Sequence, residues 1–179
     1  MTPFVLRHAT PDDTSALAAI IAASARQLSR NDYTDVQIEA AVGTAWALDT
    51  ELVRDRTYFV AVSDGQAIGC GGWSRRRTLF GGDAQGGRSS DLLDPGTEPA
   101  KIRAFFVHPQ WVRQGVGRAI LQHCEREAHV AGFKRVELLA TLPGTRLYRA
   151  FGYEGDTRVP YTLPGGIVID FVPMTKTLP

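Results

Sequence analysis

The sequence predicts an α/β fold: one domain on a mixed seven-stranded sheet with helices on both faces. Three observations predict it. Segments rich in β-formers alternate with amphipathic helices in the order β-α-α-β-β-β-α-β-α-β-β. A strand, glycine turn, helix and strand follow one another over residues 101–141, and such a crossover joins parallel neighbours. Asp64-Gly65, between two β-rich segments, instead marks an antiparallel hairpin.

The 179 residues suit a single domain, read as 1–179, long enough to bury a substantial core. A hydrophobic fraction of 44% and a charged fraction of 22% are those of a soluble globular chain. The formal charge of +1 gives no electrostatic argument for nucleic acid or for an anionic membrane. Arg75-Arg76-Arg77, the densest basic cluster, reads as a solvated strand end. No apolar run approaches a membrane span, and the N-terminus carries no secretory pattern, so the expected location is cytoplasmic. The two cysteines, Cys70 and Cys124, form no disulfide framework and read as buried small hydrophobes. No metal site is expected.

In chain order, 4–8 open as a short strand. Thr10-Pro11-Asp12-Asp13 then starts a helix, with Thr10 capping, Pro11 at the first turn and Asp13 three residues on. Leu17, Ile20, Ile21, Ser24 and Leu28 keep helical spacing. Thr34-Asp35-Val36-Gln37 is a second capping box, followed by Ile38, Ala41, Val42 and Ala45 facing inward. Strands follow over 57–62 and 67–73; the glycines of the second mark a bulge or the close approach of another backbone or a ligand. A Gly/Ser-rich loop occupies about 79–99 and reads either as a lid over a substrate or as a hairpin insertion. Residues 101–108 form the next strand, with a helix from Ala119 closed by Gly132. Arg135–Thr141 is a strand, 145–151 a short helix, and 153–163 and 167–174 the last two strands.

Chemistry concentrates where the strand ending at Val107-His108-Pro109 meets Arg113-Gln114-Gly115-Val116-Gly117-Arg118 and the helix beyond. A helix N-terminus carries unpaired N–H groups and partial positive charge, so this turn suits an anion such as a phosphate, or else is a tight turn that needs its glycines for backbone reasons alone. The Gly-Lys-Ser/Thr of a P-loop and the third glycine of the dinucleotide fingerprint are both missing.

With this turn, Leu147-Tyr148-Arg149-Ala150-Phe151-Gly152-Tyr153 and Asp64-Gly65-Gln66-Ala67-Ile68-Gly69, the chain resembles the GCN5-related N-acetyltransferases over essentially its whole length. The resemblance implies a GNAT fold and acetyl-CoA as acyl donor. It implies that Phe105, Phe106 and Val107 pair with the pantetheine arm as an added strand would. It further implies that the N–H groups from Arg113 through Gln114, Gly115, Val116 and Gly117 to Arg118 hold the pyrophosphate. By the same resemblance Tyr148 protonates the departing thiolate, and a backbone N–H near Phe106 faces the carbonyl oxygen. The implied partner is an amine-bearing small molecule or a protein amine, and a homodimer stays open.

The chain departs from the family in three places. Val112 replaces a frequent Gln or Arg, Lys101 stands where many members have a glutamate that helps deprotonate the amine, and Thr141–Thr145 shortens an asparagine-bearing stretch. His8, His108, Glu98 and Asp35 are bases by type only; Tyr33 and Tyr161 read as packing residues on the acceptor side. The expected activity is transfer of an acetyl group to a primary amine by direct attack in a ternary complex. The alternative is a non-catalytic acyl-CoA-binding or regulatory module on the same fold.

Overall fold

A computed structural model describes residues 3–84 and 88–179. Residues 85–87 of the expected Gly/Ser-rich loop, and Met1 and Thr2, lie outside the described residues. Strands β1 (Val5–His8), β2 (Tyr58–Ser63), β3 (Gln66–Ser74), β4 (Ala100–Val107), β5 (Arg135–Thr141), β6 (Val159–Thr162) and β7 (Val168–Thr177) form one sheet. Their order is β1-β2-β3-β4-β5-β7-β6. Only β4 and β5 pair in parallel. Helices α1 (Thr14–Leu28), α2 (Asp35–Ala41) and α3 (Thr50–Arg54) precede the hairpin; α4 (Val116–Val130) and α5 (Thr145–Ala150) flank β5 in sequence.

Alternation along the strands divides the core. Phe59 and Ile102 face a cluster with Ile120, Leu121 and Cys124 of α4, while Tyr58 and Val60 face one with Leu17, Ile21, Ile38 and Leu52 of α1–α3. Both cysteines are free and buried.

Local chemistry explains most of the boundaries. The Asp13 carboxylate accepts the Thr10 N–H at 2.7 Å and both terminal nitrogens of Arg7 at 2.7 and 2.8 Å, fixing the start of the first helical stretch. That stretch opens as a 3-10 turn, Pro11–Asp13, before α1. Gln37 and Thr34 make the expected reciprocal cap of α2. The helix ends at Ala41, so Val42 and Ala45 lie beyond it, and Ala45 is buried from the following turn instead.

Helix α3 was not foreseen. Five residues are too few to show a period, and its signal is the Asp49 carboxylate, which accepts the Glu51 N–H at 3.1 Å. The penultimate strand starts at Val159 rather than near 153, and the last runs on to Thr177.

The glycines of β3 answer two pressures. A Cβ on Gly69 would stand 2.8 Å from a Val116 methyl, so α4 can pack close. A Cβ on Gly71 would meet the Phe105 ring at 2.4 Å. Register also shifts between Cys70 and Gly72, where Ala104 takes φ +50° and its carbonyl accepts the Tyr58 hydroxyl at 2.8 Å. The result is a β-bulge in β4 at Ala104-Phe105.

Candidate active site

β4 and β5 are paired only at Ala100–Val136 and Lys101–Glu137, at one end. Beyond Lys101 they part, and a cleft of about 900 Å³ opens between them. The edge of β4 that faces β5 thus has no strand partner from Ile102 onward, which leaves backbone donors and acceptors for something else to pair with. Phe105, Phe106 and Val107 line the cleft here.

Past β4 the chain turns tightly. His108 Nδ1 accepts the Gln110 N–H at 3.3 Å, and the His108 carbonyl accepts that of Trp111 at 2.8 Å. Arg113 (φ +61°) and Gly115 (φ +87°) are both left-handed, and α4 begins one residue later. Left-handed residues interspersed in a turn gather successive N–H groups into a concave nest, to which the first turn of a helix adds its own unpaired donors. Arg113, Gly115, Gly117 and Arg118 line the cleft. Gln114 does not: its amide nitrogen donates to the Gln110 carbonyl at 2.8 Å and braces the turn. The Val116 side chain is buried in the core, so only its backbone is available to the nest.

Tyr148 reaches the same cleft from α5. Its ring packs edge-on to Phe105 and Tyr153, with centroids 6.1 and 5.5 Å away. Burial, with a smaller contribution from the Cys124 thiol, pushes its phenol well above the ordinary value. Gly144 holds the helix close, since a Cβ there would lie 3.0 Å from Thr141 Oγ1 and 3.3 Å from the Tyr148 ring.

None of the bases named from sequence lines the cleft. Glu98 binds Arg77 at 2.5 and 3.2 Å and takes the Asp94 N–H, which hold its carboxyl below the usual range. His8 packs on Phe59, His108 caps the turn, and Asp35 opens α2. Lys101 is paired with Glu137. Tyr33 is a buried strut whose hydroxyl donates to the Asp170 carbonyl at 2.6 Å and accepts the Leu142 N–H at 2.9 Å, and burial lifts its phenol to about 12. Among the described residues, the ionisable side chains lining the cleft are Arg103, Arg113, Arg118, Arg146 and Tyr148.

Sequence reasoning missed the charge network beneath the far end of the cleft. Arg103, on β4, is 3% exposed and ion-paired with fully buried Asp49. Arg88 reaches Asp49 at 2.8 Å and Glu51 at 3.3 Å. Arg76 is not simply solvated, because Asp55 takes it at 2.6 and 2.8 Å and the Ser90 carbonyl at 2.7 Å. Burial draws the Arg103 guanidinium below its ordinary value, against the pull of Asp49. These partners lie up to 54 positions apart in the chain (Asp49 to Arg103), so no local spacing announces them.

The model of the acetyltransferase (GNAT) family matches residues 22–153, from within α1 to just past α5. A GCN5-related N-acetyltransferase structure from Rhodopseudomonas palustris is 24% identical with a TM-score of 0.72, covering 99% of this chain and 97% of its own. PaiA N-acetyltransferase from Thermoplasma acidophilum, solved with coenzyme A, is 13% identical with a TM-score of 0.65 over 98% and 99%. The Salmonella typhimurium protein YncA, solved with its cofactor acetyl-CoA, is 17% identical with a TM-score of 0.63 over 98% and 94%. No curated protein sequence matches the chain. A family match over most of the chain, on a sheet that opens between β4 and β5 beside a helix N-terminus, has one reading: this chain belongs to the GNAT family of acetyltransferases.

Proposed function

We propose that residues 1–179 act as one N-acetyltransferase domain that uses acetyl-CoA and passes its acetyl group to a primary amine by direct attack. The observation that carries this is the unpaired edge of β4 running straight into the left-handed turn and the N-terminus of α4, with the Tyr148 hydroxyl beside it. That surface fits an extended amide-bearing arm ending in a pyrophosphate. The β4 edge from Phe105 to Val107 would pair with the arm, and the N–H groups from Arg113 to Arg118 would hold the phosphates. Gly117 adds to the fit. Outside its own helix backbone and chain neighbours, the nearest atom to a Cβ there would be a Leu147 methyl at 3.5 Å, an ordinary contact, so packing against other elements does not demand glycine. Two free, buried cysteines suit the cytoplasmic setting in which acetyl-CoA is found.

Acetyl-CoA, when bound, supplies a thioester carbonyl for an amine to attack. The chain's own part is to position and to donate. Tyr148 keeps its proton at Oη to high pH because burial disfavours the phenolate, so the proton is in place when sulfur departs, although the same burial weakens it as an acid. The amide donors of the β4 edge and the turn supply fixed dipoles without reorganisation. No lining carboxylate or histidine, among the described residues, is placed to take the ammonium proton, so the amine enters as its free base.

The test is thiol release from acetyl-CoA across a panel of primary amines, with product mass measured. Acetylated amine at a rate well above the uncatalysed one supports the reading. Tight acetyl-CoA binding with no turnover on any amine points instead to a non-catalytic acyl-CoA module, which the missing side-chain base favours.

A further inference from the structure

We infer that the acceptor is a monoamine carried on an apolar, ring-sized body, and that Phe80 is the residue that selects it. The inference rests on the acyl-transfer reading of the cleft and adds the substrate class.

Phe80 lies between β3 and β4 and lines the end of the cleft away from the helix N-terminus, as do Trp46 and Phe171. Its ring packs perpendicular to Tyr161 at 4.7 Å and tilted on Phe171 at 5.5 Å. The segment that carries it is anchored on both sides. The Gly81 carbonyl accepts Arg103 at 3.1 Å and Arg88 at 3.4 Å. The Gly82 N–H donates to Thr44 and the Asp83 N–H to Leu48, each at 3.1 Å. A Cβ on Gly82 would stand 2.4 Å from that of Ala47, so the segment is pressed against its neighbour. Phe80 is thus a built wall of the cleft.

The chemistry of this end sets the substrate class. Ala25, Leu28 and Leu139 extend a mostly apolar and aromatic surface with Trp46, Phe80 and Phe171, in which Ser24 and Ser29 are uncharged polar members. A second ammonium on the acceptor would lose its hydration here and meet, among the described residues, only Arg103 as an ionisable lining group at this end. Polyamines and lysine-rich peptides fit poorly. Arg103 Nε and Nη1 have no hydrogen-bond partner among the described residues, but Asp49 and Glu51 already balance the charges of Arg103 and Arg88, so an acceptor carboxylate would meet two like charges there. An uncharged ring fits, gaining apolar burial and edge contacts with Phe80 and Phe171.

The test compares 2-phenylethylamine, ethylamine, spermidine and phenylalanine as acceptors with acetyl-CoA. In parallel, calorimetry reads the binding of each to the protein loaded with coenzyme A. The expected result is a kcat/KM for 2-phenylethylamine at least about 30-fold above ethylamine, with spermidine and phenylalanine lower still. Phe80→Ala is expected to cut the preference for 2-phenylethylamine over ethylamine about tenfold and to leave acetyl-CoA affinity unchanged. Phe80→Leu keeps part of the preference and guards against a misfolded alanine variant. Turnover that is best on spermidine or phenylalanine overturns the inference and leaves the acetyltransferase reading standing. If no amine turns over, that reading fails, and calorimetry still decides the pocket: 2-phenylethylamine binding that Phe80→Ala weakens supports it, and equal binding of all four overturns it.

Discussion

The two ends of the cleft are built in opposite ways. The end proposed to hold the acyl donor is mostly backbone from one continuous run, the β4 edge, the turn through Arg113 and Gly115, and the first turn of α4, with Tyr148 added from α5. The end proposed to hold the acceptor is side chain, gathered from α1, the turn after α2, the segment between β3 and β4, β5 and β7. Backbone donors survive many substitutions, whereas a wall of side chains changes with each one. One scaffold can therefore keep a donor while its acceptor varies, and damage at the two ends should look different.

The largest contrast concerns stability. Asp49 is fully buried between Arg103 and Arg88, so Asp49→Ala removes their shared partner and leaves Glu51 as the nearest carboxylate to both guanidinium groups. The expected loss is about 3–5 kcal/mol, read by urea unfolding, with Tm lower by roughly 10 °C. Arg113→Ala, an exposed side chain at the donor end, should stay within about 0.5 kcal/mol. A loss below about 1 kcal/mol for Asp49→Ala would mean that the network does not hold the acceptor wall.

Catalysis gives the next contrast. Tyr148→Phe should lower kcat about 10²-fold and leave acetyl-CoA affinity within about twofold, as measured by steady-state kinetics and calorimetry. The raised phenol keeps its proton through the working range, so no alkaline loss of activity is expected below about pH 10. With no carboxylate or histidine lining the cleft among the described residues, log(kcat/KM) for an alkylamine should climb by about one per pH unit toward the amine's own value of about 10. A plateau that begins near pH 7 would reveal a base on the protein.

This contrast also explains what the sequence discloses. The element order, the parallel crossover and the stretch from Phe105 to Arg118 are legible because each depends on neighbours in the chain: apolar period, caps, and glycine at left-handed positions. Tyr148 is legible through its family resemblance, on a helix that Gly144 and Gly152 bracket. The partners of Arg103 and Arg88 sit on either side of a hairpin and a long loop, and α3 is shorter than two turns. Phe80 looks like any loop phenylalanine until folding brings Tyr161 and Phe171 beside it. The acceptor end is a product of tertiary convergence, which no spacing rule records.

Two glycines separate close packing from ligand space. Gly71→Ala would drive a Cβ into the Phe105 ring, so it should cost about 1–3 kcal/mol and weaken acetyl-CoA binding through the displaced β4 edge. Gly117→Ala makes only ordinary contacts with other elements, the nearest being Leu147 at 3.5 Å, and lies in the first turn of α4, so it should raise stability by up to about 1 kcal/mol. Affinity for acetyl-CoA should nevertheless fall, because the added methyl occupies the space left for the phosphates. If Gly117→Ala binds acetyl-CoA normally, the phosphates do not pass over that residue.

The smallest effect belongs to neither end and serves as their control. Asp13 accepts Arg7 and the Thr10 N–H, chiefly through the Arg7 hydrogen bonds, and its carboxyl is drawn down to about 2. A carboxyl that is lower in the folded chain than in the unfolded chain stabilises the fold fully above the unfolded value of about 3.9. That contribution is lost as pH falls toward about 2, where the folded state also takes up the proton. Arg7 is nearly half exposed, so solvent screening limits the contribution to about 1 kcal/mol or less. Arg7→Ala should therefore flatten the stability curve between pH 5 and 2 by roughly that amount. Neither residue lines the cleft, so kcat and both substrate affinities at pH 8 should not move. A change in acceptor KM alone would tie this N-terminal anchor to the acceptor wall, and one in acetyl-CoA affinity would tie it to the donor end.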